Sequence, residues 1–413
     1  MCGIIAAVTV ENVVPVLINS LKKLEYRGYD SAGLALETLS NINRIRAVGK
    51  VSELEEKTLK LHANIGIAHT RWATHGSVTE ENAHPHMSVD EELSICVVHN
   101  GIIENYEELR LIAEKLKYKF ESETDTEVIA HLLHHLRKKS KNFLQAVIDL
   151  QKKLKGAFAI SAISSLDKGQ IFGLKRGVPL VIGLNKNGEL GSFIASDCSA
   201  LISKADQVIY LQDTDVVELS DNGAEIFDVN CLKVEREILD FQLTENQISL
   251  GPYKHFMEKE IYEQPGAVAS TLETIIGGAS ISPKLFGNTK ENNFKDLQNI
   301  LILACGTSFH AGLVARYWIE SIAQIPVTVE FASEYRYRRS VSLNKTLVVA
   351  ISQSGETADT LAAVEYAKSQ GLTNSLAICN VSESSLVRAC KLRFLTRAGP
   401  EIGVASTKAF TTQ

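Results

Sequence analysis

The sequence lacks the marks of several protein classes, and each absence narrows what it can be. Lys+Arg number 43 against 49 Asp+Glu, a formal net charge of −6. There is no basic footprint of the kind that displaces counterions from a phosphate backbone, so no nucleic-acid partner is expected. No apolar run approaches the roughly 18 residues a membrane span requires, so no membrane partner is expected either. The apolar start Ile4–Val10 stops at Glu11 with no basic region ahead of it, unlike a secretory signal. The seven cysteines (Cys2, Cys96, Cys198, Cys231, Cys305, Cys379 and Cys390) are odd in number, scattered and never in CxxC spacing. That excludes a disulfide framework and a zinc site and fits free thiols in a reducing cytoplasm. A GxxxxGK[ST] phosphate loop is missing, and so are repeats and low-complexity segments.

What is present is an ordinary globular composition, 45% hydrophobic and 22% charged over 413 residues, enough for two or three domains. Up to about Asp240 the chain reads as short strands with a few helices between them. Met1–Val10, Asn64–His69, Leu93–His99, Ala157–Ile163, Leu180–Leu184 and Val216–Leu219 are the apolar strand candidates. A helix is expected over Glu127–Lys138, after the Thr124-Asp125-Thr126 start signal. Such a mixture predicts a layered α+β domain over residues 1–240.

Residues 241–293 read as a linker and helical lead-in, helical around Tyr253–Gln264 and punctuated by Gly277-Gly278, Pro283 and Gly287. From residue 294 to 413 five strand candidates follow: Ile300–Ala304, Pro326–Phe331, Thr346–Ile351, Ser375–Cys379 and Leu392–Thr396. Helices over Ser308–Ala323 and Thr357–Gln370 stand among them, with Leu361, Val364 and Ala367 as the face turned to a sheet. This alternation predicts an α/β doubly wound parallel sheet, whose ligands sit at the carboxyl ends of its strands.

Met1-Cys2-Gly3 carries chemistry. Removal of the initiator leaves Cys2 with a free α-amine, whose ordinary pKa of about 7.7–8.0 suits a general base for its own thiol. One residue then supplies nucleophile and base. Around it stand His69-Thr70-Arg71-Trp72-Ala73-Thr74-His75-Gly76, His99-Asn100-Gly101 and Glu123-Thr124-Asp125. Arg71 can fork onto an α-carboxylate, Asp125 can pair an α-ammonium, and Asn100 with the Gly101 N–H can form an oxyanion hole. An amide hydrolase acting on free glutamine needs such parts.

These stretches, with Met1-Cys2-Gly3-Ile4, the run Glu25-Tyr26-Arg27-Gly28-Tyr29-Asp30-Ser31-Ala32-Gly33 and His99-Asn100-Gly101-Ile102-Ile103-Glu104-Asn105, resemble the class II glutamine amidotransferases. More narrowly they are similar to the glutamine–fructose-6-phosphate aminotransferase (isomerising) family, and the resemblance runs through the whole chain. It implies an amino-terminal-nucleophile hydrolase fold, an αββα four-layer sandwich. It further implies attack by Cys2, an oxyanion held by Asn100 and Gly101, and a glutamine grip made by Arg71, Thr74, His75 and Asp125. Trp72 would lie where ammonia leaves.

The carboxyl half decides among relatives. Neither the Gly-Thr-Thr-type loop of a phosphoribosyl-pyrophosphate user nor the Ser-Gly-Gly-type loop of an asparagine synthetase is found. Instead the strand ends carry Cys305-Gly306-Thr307-Ser308, Ser352-Gln353-Ser354-Gly355-Glu356-Thr357 and Val404-Ala405-Ser406-Thr407. Hydroxyls and open N–H groups ahead of a helix hold phosphate without a lysine. By resemblance these are the loops of a sugar-isomerase (SIS) domain. Ser352, Gln353, Ser354 and Thr357 would take the phosphate of fructose 6-phosphate, and Thr307, Ser308 and Val404, Ala405, Ser406 would line the sugar.

The resemblance implies the substrates glutamine and fructose 6-phosphate, the products glutamate and glucosamine 6-phosphate, no cofactor and a homodimer. His131, His134 and His135 fall on one helix but lack a further ligand at metal spacing, and read as a solvated or packed face. Tyr335-Arg336-Tyr337-Arg338-Arg339 reads as a surface or interface segment. The family's second sugar-isomerase lobe has no counterpart before Gln413, so the SIS domain is expected to be incomplete and the chain to retain only glutamine hydrolysis. Ser406–Gln413 begins a helix of about two turns, too short to stand alone and with no packing surface in view. A non-catalytic sugar-phosphate-binding regulatory protein is the alternative, and a retained Met1 would favour it.

Overall fold

A computed structural model describes residues 2–39, 41–73, 76–186, 190–241, 248–273, 275, 283–287, 294, 296–341, 343–382 and 384–413. It comprises two compact units, Met1–Glu245 and Asn246–Gln413.

The first unit contains the strands β1 (Gly3–Val8), β2 (Ser31–Glu37), β3 (Ile42–Val48), β4 (Ile65–Arg71), β5 (His86–Val89), β6 (Ser94–Ile103) and β7 (Gly156–Ser164). It continues with β8 (Ile171–Arg176), β9 (Val181–Leu184), β10 (Ser192–Ala195), β11 (Gln207–Tyr210), β12 (Val216–Ser220), β13 (Gly223–Phe227) and β14 (Leu239–Asp240). One antiparallel sheet runs β14-β11-β9-β10-β1-β4-β2-β3, the other β13-β12-β8-β7-β6-β5. Strand β1 shows why its sequence is apolar without alternation. Ile4, Ala6 and Val8 enter the core between the two sheets, where they meet Val98 of β6 and Ala159 of β7. Ile5 and Ala7 face the other way, onto Leu17 and Leu21 of α1 (Val13–Leu24). A strand covered on both faces has no use for polar residues. Helix α2 (Val51–Thr58) joins α1 on that side. Beyond the second sheet lie α3 (Tyr106–Lys115), α4 (Glu127–Lys139) and α5 (Phe143–Gln151), packed on Ile95 and Val97. Helix, sheet, sheet, helix: the four-layer αββα sandwich is present.

All six strand candidates of the first half are strands, and α4 lies where its start signal put it. Strands β10 and β11, of four residues each, are too short for periodicity to mark. His131 and His134 belong to a packed face. His131 Nδ1 lies 2.9 Å from Ser88 Oγ and His134 Nδ1 lies 2.8 Å from Tyr118 Oη.

The second unit opens with α6 (Phe256–Glu273), longer than the expected lead-in. Gly277 and Gly278 lie outside the described residues. Strands β15 (Asn299–Ala304), β16 (Val327–Phe331), β17 (Thr346–Ser352), β18 (Ser375–Cys379) and β19 (Leu392–Leu395) form a parallel sheet in the order β16-β15-β17-β18-β19. Ile300 and Ile302 face Phe309 and Ile319 of α7 (Gly306–Ala323). Leu301 and Leu303 face the opposite layer, with Ala363 and Ala367 of α9 (Ala358–Ser369) and Tyr335 of α8 (Ala332–Tyr335). The α9 face is Thr360, Ala363, Val364 and Ala367, with Leu361 only half-buried at its edge. Tyr335 overturns part of the surface reading of its segment: it is 1% exposed and stands edge-to-face on Tyr366.

The terminal helix α10 (Lys408–Thr412) also departs from expectation, because it has a packing surface. Its partner is α6, where Lys408 Nζ lies 2.6 Å from Glu263 Oε2 and Ala409 is fully buried. A lead-in helix that looked like linker is part of this unit's core.

Candidate active site

The inter-sheet layer of the first unit turns polar at one open end. Side chains two apart on a strand share a face. Ile4, Ile67 and Val98 all face the inter-sheet core. Two residues further toward the same end come Cys2 ahead of β1, His69 and then Arg71 on β4, and Asn100 on β6. The β1–β4 register sets Ile4 opposite His69.

Cys2 Sγ accepts a hydrogen bond from the Trp72 N–H at 3.3 Å. Burial pushes the Cys2 thiol up from its ordinary value, and the Trp72 N–H with the Arg71 and Arg27 guanidinium groups only partly offsets that. A thiol held protonated needs a base to become a nucleophile. The Cys2 carbonyl accepts from Asn100 Nδ2 at 3.0 Å. Gly101 beside it has φ +115°, and a Cβ there would sit 2.1 Å from the Ala157 carbonyl oxygen, so only glycine fits.

Arg71 is buried and donates to the Ser77 carbonyl at 3.1 Å and the Gly76 carbonyl at 3.4 Å. Asp125, also buried, accepts the Ile103 N–H through Oδ2 at 2.8 Å. Glu123 ties the two segments, accepting from Ser77 N at 3.0 Å and Asn82 Nδ2 at 3.0 Å. Glu127 then anchors the Asp125 loop from the first turn of α4, receiving the N–H groups of Glu121 and Ser122. Burial works against its charge, yet the bonds from His131, Glu121 and Ser122 hold its carboxyl down at about 2. Trp72 is 40% exposed and meets Tyr29 edge-to-face at 5.3 Å. Thr74 and His75 lie outside the described residues.

Four imidazoles stand behind these groups. His69 stacks on His84 at 4.1 Å, and His84 meets His86 edge-to-face at 4.8 Å. The Thr126 hydroxyl lies 2.9 Å from His84 Nε2 and 3.0 Å from His99 Nδ1. Burial lowers all four, His69 and His86 to about 3 and His84 well below its ordinary value. His84 and His86 carried no signal in the sequence, since no spacing rule links them to the site, and Thr126 and Glu127 carried only that of a helix start.

In the second unit Ser352 closes β17, and its Oγ accepts the Gly355 N–H at 3.0 Å and lies 3.5 Å from Thr357 Oγ1. Ser354 Oγ accepts the Glu356 N–H at 3.2 Å, and the Gln353 carbonyl accepts from Asn380 N at 3.3 Å. Gly355 has φ +68°, and a Cβ there would meet Ser384 Oγ at 2.1 Å. Helix α9 starts at Thr357 and α7 at Cys305, neither with a side-chain cap, so both first turns offer N–H groups at the carboxyl edge of the sheet. Thr307 and Ser308 lie in the first turn of α7, and Thr360 Oγ1 reaches Cys305 Sγ at 3.9 Å. The third loop follows β19, two strands beyond β17, and Asn380 Nδ2 after β18 donates to its Gly399 carbonyl at 2.7 Å. Val404 and Ala405 are exposed, and Ser406 Oγ donates to Glu401 at 2.7 Å. Among the described residues no hydrogen bond joins Val404–Ser406 to the Ser352–Thr357 loop. Its shape comes from below: Glu260 on α6 accepts the N–H groups of Ile402 at 2.5 Å and Gly403 at 3.0 Å.

Fold and site define a glutamine amidotransferase domain followed by a phosphosugar-type α/β domain. Residues 69–203 match the glutamine amidotransferase domain family, and residues 294–413 match the SIS domain family. The chain is 52% identical over 417 residues to the glutamine–fructose-6-phosphate aminotransferase (isomerizing) of Bordetella parapertussis, covering 100% of this chain and 67% of that protein. It is 50% identical over 416 residues to that of Pseudomonas aeruginosa, with the same shares covered. The chain belongs to the glutamine–fructose-6-phosphate aminotransferase (isomerizing) family. Among solved structures, the glutamine phosphoribosylpyrophosphate amidotransferase of B. subtilis, complexed with ADP and GMP, is similar at TM-score 0.50 and 17% identity. That likeness covers 92% of this chain and 81% of the other and bears on fold alone.

Proposed function

We propose that this chain hydrolyses glutamine at Cys2 and binds fructose 6-phosphate at the carboxyl edge of its parallel sheet, as parts of the synthesis of glucosamine 6-phosphate. The observation that carries the first half is the Cys2 thiol, hydrogen-bonded by the Trp72 N–H, with the Asn100 carboxamide on its own carbonyl. Loss of Met1 exposes the α-amine, which takes the thiol proton as Sγ attacks the glutamine side-chain carbonyl. Asn100 Nδ2 and the Gly101 N–H stabilise the oxyanion, the α-ammonium returns the proton to the leaving ammonia, and water hydrolyses the thioester to glutamate. Arg71 and Asp125, with Thr74 and His75, take the carboxylate and ammonium of the substrate, and Trp72 lies over the exit of ammonia.

The second half rests on two uncapped helix starts beside the hydroxyls of Ser352, Ser354 and Thr357. There Ser352, Gln353, Ser354 and Thr357 hold phosphate, while Thr307, Ser308 and Val404–Ser406 line the sugar. Residues 1–240 are the glutaminase domain and 294–413 the SIS domain, with 241–293 between them supplying α6 to the second unit. No helix of the described residues is long and apolar enough to cross a membrane. A homodimer in the cytoplasm fits the family.

Glutamate and amino-sugar formation are measured in parallel with both substrates supplied. Glutamate release is expected, abolished by Cys2→Ala, from a protein whose intact mass lacks Met1. Release that survives Cys2→Ala refutes the nucleophile. A retained Met1 without glutaminase activity favours a sugar-phosphate-binding regulator. Fructose 6-phosphate is expected to raise the melting temperature of the second unit, and Thr357→Val to remove that rise.

A further inference from the structure

A carbonyl oxygen only accepts hydrogen bonds. The Cys2 carbonyl, 3.0 Å from the Asn100 carboxamide, therefore faces its nitrogen. The carboxamide oxygen then points the other way, at His69 Nε2, also 3.0 Å distant. A second acceptor, the His99 carbonyl oxygen, lies 3.0 Å from the same nitrogen. Nε2 of His69 must carry the proton and share it between the two. Its Nδ1 has no hydrogen-bond partner among the described residues. The ring is fully buried and stacked flat on His84 at 4.1 Å, an arrangement that leaves it one orientation.

We propose that His69 is a positioning residue of the glutaminase, locking the Asn100 carboxamide so that its nitrogen faces the nucleophile's carbonyl and the forming oxyanion. The proposal rests on the reading of Cys2 as nucleophile and Asn100 as oxyanion donor. Turning the carboxamide over would set its oxygen against the Cys2 carbonyl and its N–H groups against the His69 N–H. Both contacts are repulsive, so a protonated Nε2 selects the productive rotamer. An oxyanion donor helps only when it is already aimed at the charge that develops. His69 never touches glutamine; it acts through Asn100.

Steady-state glutaminase kinetics on the full chain test this. His69→Leu is expected to lower kcat about 10- to 100-fold, part of the loss an absent oxyanion donor causes, with KM within about twofold. His69→Gln, which keeps an N–H donor, is expected to return kcat to within about fivefold of the parent. The decisive variant is Asn100→Ala combined with His69→Leu. If His69 works through Asn100, the pair is no slower than Asn100→Ala alone. Multiplying losses, a Gln variant as slow as the Leu variant, or an unchanged Leu variant overturns the proposal. Should His69→Leu not fold, nitrogen-15 NMR of histidine-labelled protein decides, since His69 must be the neutral Nε2–H tautomer at neutral pH. An Nδ1–H or cationic His69 overturns the proposal. Cys2→Ala separates the two readings: activity surviving it sinks the nucleophile assignment, whereas an inactive Cys2→Ala beside multiplying losses sinks only the role of His69.

Discussion

Acid should loosen the first unit well before its carboxylates titrate. His69, His84 and His86 are buried, and burial holds them far below the ordinary 6.5, His69 and His86 at about 3. In the unfolded chain each takes up a proton near pH 6.5; in the folded chain each stays neutral. Their contribution is thus fully present above 6.5 and is lost as pH falls toward the folded values. Between about pH 7.5 and about pH 5.5 each forfeits about 1.4 kcal/mol, or about 4 kcal/mol for the three. His99 adds to this. Set against a typical 5–15 kcal/mol of total stability, that is a large share. For a unit of this size it lowers Tm by on the order of 10 °C. The chain holds two tryptophans, Trp72 in the first unit and Trp318, 64% exposed, in the second. Trp318→Phe therefore leaves one fluorescent reporter for the first unit, and its melting is followed across that pH range. His86→Gln, which retains a donor toward Thr124, should remove about a third of the drop. A Tm constant to within about 2 °C from pH 7.5 to 5.5 would refute the assignment of neutral buried imidazoles.

The remaining expectations concern single contacts. Asp197→Asn strips the counter-charge from Arg27, whose side chain is 8% exposed and 2.6 Å from Asp197. We expect a loss of about 3–5 kcal/mol in urea unfolding, partly recovered when Arg27→Met is added; strictly additive losses would show that the pair does not interact. Gly101→Ala drives a Cβ to 2.1 Å from the Ala157 carbonyl oxygen. Glutamate release should fall about 100-fold or more, and a loss under about fivefold would remove Gly101 from the oxyanion hole. Gly355→Ala pushes against Ser384 at 2.1 Å, which should cost the second unit about 1–3 kcal/mol, read from Trp318. Unchanged unfolding would mean that the loop has room the structure does not give it.

What could be read in advance followed physical range. The strand β1 was legible because burial on both faces leaves an unbroken apolar run, and the α/β alternation of the second unit because strand and helix periods differ. Cys2, Arg71, Asn100 and Asp125 were legible because their chemistry is distinctive, and strand parity brings Cys2, Arg71 and Asn100 to one end of the inter-sheet layer. His84 and His86 were not, since a histidine outside any motif reads equally as ligand, base or packing. Tyr335 was misread because Glu334 before it and the arginines after it make the segment look wet, while Arg336 in fact pairs with Asp359 and Arg338 with Glu330 around a buried ring. Glu260 stayed hidden because the N–H groups it holds lie 142 and 143 residues away in the chain.

That last carboxylate decides where the chain can be cut. The SIS family match begins at residue 294, and scissors placed there would discard α6. The excised piece would keep Lys408, 4% exposed, without Glu263, and the N–H groups of Ile402 and Gly403 without Glu260. An ammonium and two amides stranded in this way would reshape the very loop proposed to line the sugar. A fragment meant to report on sugar-phosphate binding has to start ahead of Phe256, so the smallest autonomous piece of this half is longer than its family signature.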